Sequence, residues 1–218
     1  TLLTSNISKQ RWKTLTHTHV KNHWYNSLLT SSLEKSSLSL VNFSVCINFT
    51  SHHLWESILP TVKDVRRGCV KALFITDTYM TEVRASKMNK CTPICKLCFI
   101  TEEDRFHVLW DCPALHSPRI GPVTELKDYI CAEFGVSIWS LLSVSSAQLL
   151  QLVIDCSLVK LNSTFVFRPK DISVIEEISR RLCFSIHSYR SFLLAKKDVD
   201  ENSEAMRSSA LKVHLSGS

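Results

Sequence analysis

Four residues stand at a spacing that can hold a metal ion: Cys95, Cys98, His107 and Cys112, in the order Cys-x2-Cys-x8-His-x4-Cys. Zinc takes four tetrahedral thiolate or imidazole ligands, and a Cys-x2-Cys turn aims two sulfurs at one centre from a tight bend. The second pair, His107 and Cys112, falls on a short helix that Pro113 ends. Four protein ligands leave no open coordination position, so the predicted cofactor is one structural Zn2+ that organises the chain instead of hydrolysing a substrate. Zinc binding is worth on the order of 10 kcal/mol, more than a short loop gains by burial, so this segment is expected to fold only with metal. Cys91 and His116 remain as alternative ligands.

Other reactive groups carry less. His17, His19 and His23 are two and four residues apart, and His19 with His23 could share a metal on a helix, but no carboxylate or third ligand accompanies them. His52 and His53 are adjacent and read as surface residues, and no Ser, His and Asp set can be assembled from order alone. Only Gly68, Gly121, Gly135 and Gly217 exist, too far apart for a phosphate-cradling loop or a dinucleotide fingerprint, which excludes kinase, P-loop and Rossmann chemistry.

The elements that must position the four ligands are helices. Of 218 residues, 44% are hydrophobic, enough for a core, while Gly 4 and Pro 6 fall well below the roughly 12% these two types usually supply. That argues against sandwiches, barrels and collagen. The expected fold class is mainly α, with helices flanking a small CCHC zinc knuckle and weakly ordered or disordered termini.

Residues 1–53 form a polar connecting segment with a basic and aromatic cluster at Arg11, Trp12, Lys13, His17, His19, Lys21, His23, Trp24 and Tyr25. Residues 54–88 hold an amphipathic helix capped by Thr61, with Val62, Val65, Cys69, Ala72 and Leu73 on its core face and Lys63, Arg67 and Lys71 as a basic stripe on the other. The knuckle occupies 89–122. In the helical region 123–197, helices are predicted over 123–134 and 146–158. A third follows a Ser173/Glu176 capping box, with Ile175, Ile178, Leu182, Ile186, Tyr189 and Leu193 on one stripe and Arg180, His187, Arg190 and Lys197 on the solvated or phosphate-tracking face opposite. Residues 198–218 read as a disordered tail.

The apolar stretch 136–159 is interrupted by Ser, Gln and Asp155, so it reads as buried helix and no membrane span is expected. The net charge of +6 attracts polyanions only weakly. Nine cysteines, an odd number, predict a reducing, intracellular compartment, cytoplasmic or nuclear. There the acceptor-like triplets at Asn6, Asn42, Asn48 and Asn162 carry no sugar. A chain opening on Thr1 is expected to be a fragment of something longer.

Cys95-Lys-Leu-Cys98, then Glu102, Glu103, Asp104, His107-Val-Leu and Asp111-Cys112-Pro113-Ala-Leu resemble the zinc-binding segment that follows the polymerase in reverse transcriptases of non-LTR, jockey-like retrotransposons. The flanks are similar too: Lys35-Ser-Ser-Leu, Asp64-Val-Arg-Arg, Lys71-Ala-Leu and Thr78-Tyr79 before the knuckle, Leu152-Val-Ile-Asp155-Cys and Ile178-Ser-Arg-Arg-Leu-Cys-Phe-Ser-Ile-His187 after it. The likeness spans about residues 30–195, and its specific part is the knuckle.

It implies the C-terminal portion of such an enzyme, with the polymerase region upstream in a longer parent. That polymerase depends on paired aspartates, and no two aspartates are adjacent here. Arg168-Pro169-Lys170-Asp171 only superficially resembles a nuclease step, because a matching Glu-x-Lys is missing. No catalysis and no small-molecule substrate are therefore expected.

The resemblance implies RNA or DNA as partner, with the chain positioning template or target. Lys90, Lys96, Arg105 and Arg119 would then meet phosphates and Phe99 would stack on an unpaired base, while Phe106, Leu109 and Trp110 form the knuckle's own core. The alternatives are a zinc-stapled protein-interaction module and an inactive retroelement remnant.

Overall fold

The computed structural model describes residues 8–46, 51–161 and 165–215; Asn6, Asn48 and Asn162 lie outside them. The chain is mainly helical: α1 (Lys9–Glu34), α2 (His53–Glu56), α3 (Val62–Ile75), α4 (Glu82–Asn89), α5 (His116–Phe134), α6 (Val136–Val144), α7 (Ser146–Ile154) and α8 (Pro169–Leu215). Among the described residues β pairing amounts to one isolated antiparallel bridge, Ile94 to Glu102.

Helix α8 is the mast against which α3 and α5 lie. Pro169 starts it, its fixed φ and missing N–H being harmless at the first helical position. Asp171 reaches back to accept from the Arg168 backbone N–H at 3.1 Å, one arm of a capping box. The box expected at Ser173 and Glu176 is therefore displaced five residues: Ser173 Oγ donates to the Pro169 carbonyl inside the helix, and Glu176 is buried. The stripe Ile175, Ile178, Leu182 and Ile186 is buried as its spacing predicts. Helical backbone continues past residue 197 to Leu215, through the stretch expected as a tail.

Two apolar clusters form along this mast. One joins Phe74, Ile75, Val108, Leu109, Leu115, Leu182 and Ile186; the other joins Leu126, Ile130, Leu142, Leu152, Phe167 and Ile175. Gly135, at φ 91, ends α5 and turns the chain into α6. Within 136–159, α7 buries Leu152, Val153 and Ile154, whereas α6 buries Leu142 and leaves Val136 and Val144 outside. No single helix among the described residues is long and apolar enough to cross a membrane; α6 and α7 reach that length only as a pair bent by 108°.

The expected phase of α3 is overturned. Thr61 caps it as predicted, accepting from the Asp64 N–H at 3.2 Å. Yet Val62, Val65, Cys69 and Leu73 are exposed, while Asp64, Gly68, Lys71 and Phe74 face inward. Gly68 has no room for a Cβ beside Ile58. The reason is charge pairing: Lys71 Nζ lies 2.5 Å from Glu176 Oε2 and 2.6 Å from Ser179 Oγ, both carried by α8, with nothing exposed on either ion.

Arg180 is corrected likewise. It is buried, donating to Ser57 and pairing with Asp64 at 3.4 Å. Arg190 is buried against Glu103. Neither stands on a solvated or phosphate-tracking face.

His52 is no ordinary surface residue either. Its Nδ1 accepts from the Leu54 N–H at the start of α2, and its Nε2 lies 3.0 Å from the buried Asp155 carboxylate. Burial lifts the Asp155 pKa, but His52, the Ser157 hydroxyl and the Asn42 N–H outweigh it and hold it at about 2.

Removing one ion of a buried pair strands the other. Lys71→Met should cost about 3–5 kcal/mol in urea unfolding, and Lys71→Met/Glu176→Leu should recover most of it. A single-variant loss below about 1 kcal/mol would show the pair to be solvated. Because the native Asp155 pKa lies below its unfolded value of roughly 3.9, its contribution is complete above that pH and drains as pH falls toward 2. Acid titration of stability should show about 2 kcal/mol lost there, a component absent from Asp155→Asn.

Candidate metal centre

The chain reverses direction between Pro93 and Glu103. The Glu103 N–H donates to the Pro93 carbonyl at 2.9 Å, the Cys95 N–H to Thr101 at 2.9 Å, and the Phe99 N–H to Cys95 at 2.9 Å. Phe99 closes the turn at φ 57, a left-handed conformation that costs an L-residue on the order of 1 kcal/mol. This tight bend carries Cys95 and Cys98. The Leu97 and Cys98 N–H groups bond to the Cys95 sulfur, and the Ile100 and Thr101 N–H groups to the Cys98 sulfur. Such donors stabilise thiolate over thiol.

Asp104 opens the helical half, its Oδ1 accepting from the His107 N–H at 2.7 Å. From His107 to Asp111 the backbone winds as a π-turn, closed by the Cys112 N–H donating to the His107 carbonyl at 2.8 Å. The width of this turn decides the geometry. Five residues along an α-helix sweep 500°, leaving their side chains about 140° apart. A π-turn closes on the fifth residue, so His107 and Cys112 come to one side.

The four ligand atoms lie within 4.8 Å of one another. Cys95 Sγ is 3.8 Å from Cys112 Sγ, and Cys98 Sγ is 3.4 Å from His107 Nε2. Thr101 Oγ1 stands 3.0 Å from His107 Nδ1, and a bond donated by that nitrogen leaves the Nε2 lone pair facing the sulfurs. Cys95, His107 and Cys112 are buried and Cys98 is half-buried. Burial pushes the Cys95 and Cys112 thiols up. At Cys98 burial acts in the same direction, but the Ile100 N–H, the Cys95 thiol and the Thr101 N–H bring it below the ordinary thiol range. This cluster can hold one metal ion. Cys91 and His116 are exposed and outside it.

The knuckle is bolted to the mast. Glu103, fully buried, pairs with Arg190 at 2.5 Å; Arg190 also lies 4.0 Å from Glu82 and stacks over Tyr79, which packs on Phe74 at 3.9 Å between ring centroids. Burial raises the Tyr79 pKa to about 12. Val108, Leu109 and Leu115 are buried in the cluster around α8, with Trp110 packed against it, so Leu109 and Trp110 serve the core as expected. Phe106 is half-buried.

The residues expected to meet nucleic acid divide. Lys90 is exposed, in the left-handed position ending α4. Lys96 is 53% exposed but bonded to Glu82 at 3.0 Å. Phe99 is 64% exposed, with Lys197 Nζ 4.1 Å above its ring.

Arg105 and Arg119 do not reach a phosphate surface. Arg105 pairs with Asp77 at 2.8 Å and donates to the Phe74 carbonyl at 3.0 Å. Arg119 is buried and donates to the carbonyls of Leu109, Val108 and Cys112 at 2.8, 3.3 and 3.2 Å. Those carbonyls lie at the end of the π-turn, where the regular ladder is interrupted, and the guanidinium is drawn inward to them; the Cys112 carbonyl also accepts from the Leu115 N–H at 3.1 Å. Sequence reasoning missed Thr101, Glu103 and Arg190 as supports; only Glu103, inside the knuckle, carried a local signal.

Arg119→Ala should therefore cost about 2–4 kcal/mol of stability at any ionic strength, three carbonyls losing the guanidinium and the Cys112 carbonyl alone keeping the Leu115 N–H. Lys96→Ala should stay within about 0.5 kcal/mol in the same denaturation assay. Equal, negligible effects would mean that Arg119 faces solvent after all.

Compared with protein-family models, curated proteins and solved structures, the chain matches no family, no curated protein and no solved structure.

Proposed function

We propose that Cys95, Cys98, His107 and Cys112 hold one structural zinc ion, and that the chain it organises is a non-catalytic nucleic-acid-binding segment of the retrotransposon reverse-transcriptase kind. The observation that carries the metal is the spacing of the ligand atoms. At Zn–S of about 2.3 Å and Zn–N of about 2.0 Å, tetrahedral edges are about 3.8 Å for two sulfurs and about 3.5 Å for sulfur and nitrogen. The cluster has 3.8 Å and 3.4 Å on two such edges. Three soft thiolates and one imidazole favour zinc over magnesium or calcium. With four protein ligands the ion would supply shape and no position for a reacting water.

Three thiolates around Zn2+ leave a net charge of −1, and the buried Arg119 guanidinium beside Cys112 would balance it. Nucleic-acid binding rests on the resemblance, on the formal charge of +6, and on Lys90, Lys96 and Phe99 at the exposed tip of the knuckle. A second reading, a protein-interaction module stapled by zinc, draws on the exposed apolar residues Val62, Val65 and Leu73 of α3 and the neighbouring Trp55.

The purified chain should contain one zinc per molecule by elemental analysis. Cys95→Ser and His107→Ala should each lose it together with the protection of 91–115 against proteolysis. Metal content unchanged in both variants removes the site. Binding of RNA should weaken steeply with salt, each phosphate contact adding about 0.7 to the log–log slope. No binding at low salt would leave the interaction module.

A further inference from the structure

Helix α1 is the one long element whose making the fold does not explain. It runs 26 residues without a fully buried side chain; its main contacts are with the turns at Ser36–Leu38 and Phe43–Cys46, and only its C-terminal part, where Leu28 borders a cavity with Leu54, Trp55 and Ile75, leans on the rest of the fold. A helix that packs so little of its surface is marginal in water, so an apolar ridge on its N-terminal part is open to something outside the fold. Such a ridge exists. Trp12, Thr16, Val20, Trp24 and Leu28 follow one another every four residues, about 6 Å apart along the axis. Trp12 is 51% exposed and Trp24 63%.

The residues three positions away on either side form its borders. Lys9, Lys13 and His17, all exposed, line one edge, which runs on into the half-buried Lys21 and Tyr25; the other begins at the half-buried Leu15 and continues with the exposed His19 and His23. The helix carries Lys9, Arg11, Lys13 and Lys21 against the single acid Glu34.

The occupant must be a polyanion that offers flat apolar faces between its charges. We infer that this ridge of α1 is a docking surface for single-stranded nucleic acid, with Trp12 and Trp24 stacking on unpaired bases while Lys9 and Lys13 meet the backbone phosphates. The two rings lie about 18 Å apart along the helix and about 120° apart around it, so a short run of nucleotides that meets both follows the oblique course of the ridge. A bilayer fits less well. Interfacial helices sink a broad apolar face to a depth of about 5–10 Å. This ridge is narrow, interrupted by Thr16, and flanked for most of its length by cations and imidazoles, with Leu15 and Tyr25 as the exceptions. The inference rests on the nucleic-acid reading above and moves the contact from the knuckle, where Arg105 and Arg119 are turned inward, to α1.

The test is fluorescence anisotropy of the full-length, zinc-loaded chain with a labelled, unstructured 20-nucleotide RNA. Trp12→Ala/Trp24→Ala should weaken binding at least about tenfold with the salt slope kept, two stacked bases being lost. Lys9→Gln/Lys13→Gln should lower the slope by about 1.4. Lys127→Gln/Lys160→Gln, which removes the same charge from exposed positions elsewhere, should change neither. Because α1 buries no side chain, all variants should keep wild-type zinc content and melting temperature, so lost binding is not lost folding.

Wild-type affinity in the tryptophan variant, or a duplex binding as tightly as the single strand, overturns the inference and leaves the nucleic-acid reading standing, with Lys90→Gln/Lys96→Gln then expected to fail. A wild-type chain that ignores RNA at low salt defeats both. Binding to phosphatidylserine vesicles that is abolished by Trp12→Ala/Trp24→Ala, in a chain that ignores RNA, assigns the ridge to a membrane surface instead.

Discussion

Charge taken out of water must be answered by charge, and three of the ions that α8 carries into the interior are answered from other elements. Glu176, Arg180 and Arg190 are each almost wholly buried. Their partners are Lys71 and Asp64 on α3 and Glu103 in the knuckle. An unpaired ion at any of these positions would cost several kcal/mol. Helix α3 and the knuckle can therefore sit on α8 in only one register. Apolar contacts around Phe74, Leu109 and Leu182 add attraction, but attraction between greasy faces tolerates sliding and paired ions do not.

That constraint also accounts for what could be read from the residues and what could not. The stripe from Ile175 to Ile186 was legible because a helix repeats every 3.6 residues and its buried positions are apolar. The four metal ligands were legible because they lie within 18 residues, where spacing alone fixes which side chains can converge. The orientation of α3 was not. Placing Lys71 on a solvated stripe is the sensible inference from one helix, and it fails because Glu176, 105 positions later, waits for it. Arg119 was illegible for a related reason: its partners are backbone carbonyls, which leave no trace in residue type. Helix α1 announced its cations and rings but not that it would bury none of them fully.

The knuckle joins both kinds of information. Its ligands are local, but its supports are not: Glu103 reaches Arg190 on α8, Lys197 lies over Phe99, and Arg119 of α5 gathers the carbonyls that end the π-turn. A segment of this length has too few apolar residues to hold a shape by itself. Here long side chains from helices assembled around α8 hold its edges, which leaves the convergence of the four side chains inside as the remaining task.

The wide turn between His107 and Cys112 makes that stretch a counted length. Adding a residue to it would carry the last sulfur some 100° further around the axis, away from the imidazole, whereas losing one and reverting to ordinary α winding would leave the pair about 40° apart, still on one side. Among variants of this chain, the interval between those two ligands should accept exchanges of residue type at its outward position, Asp111, and reject the gain of a residue.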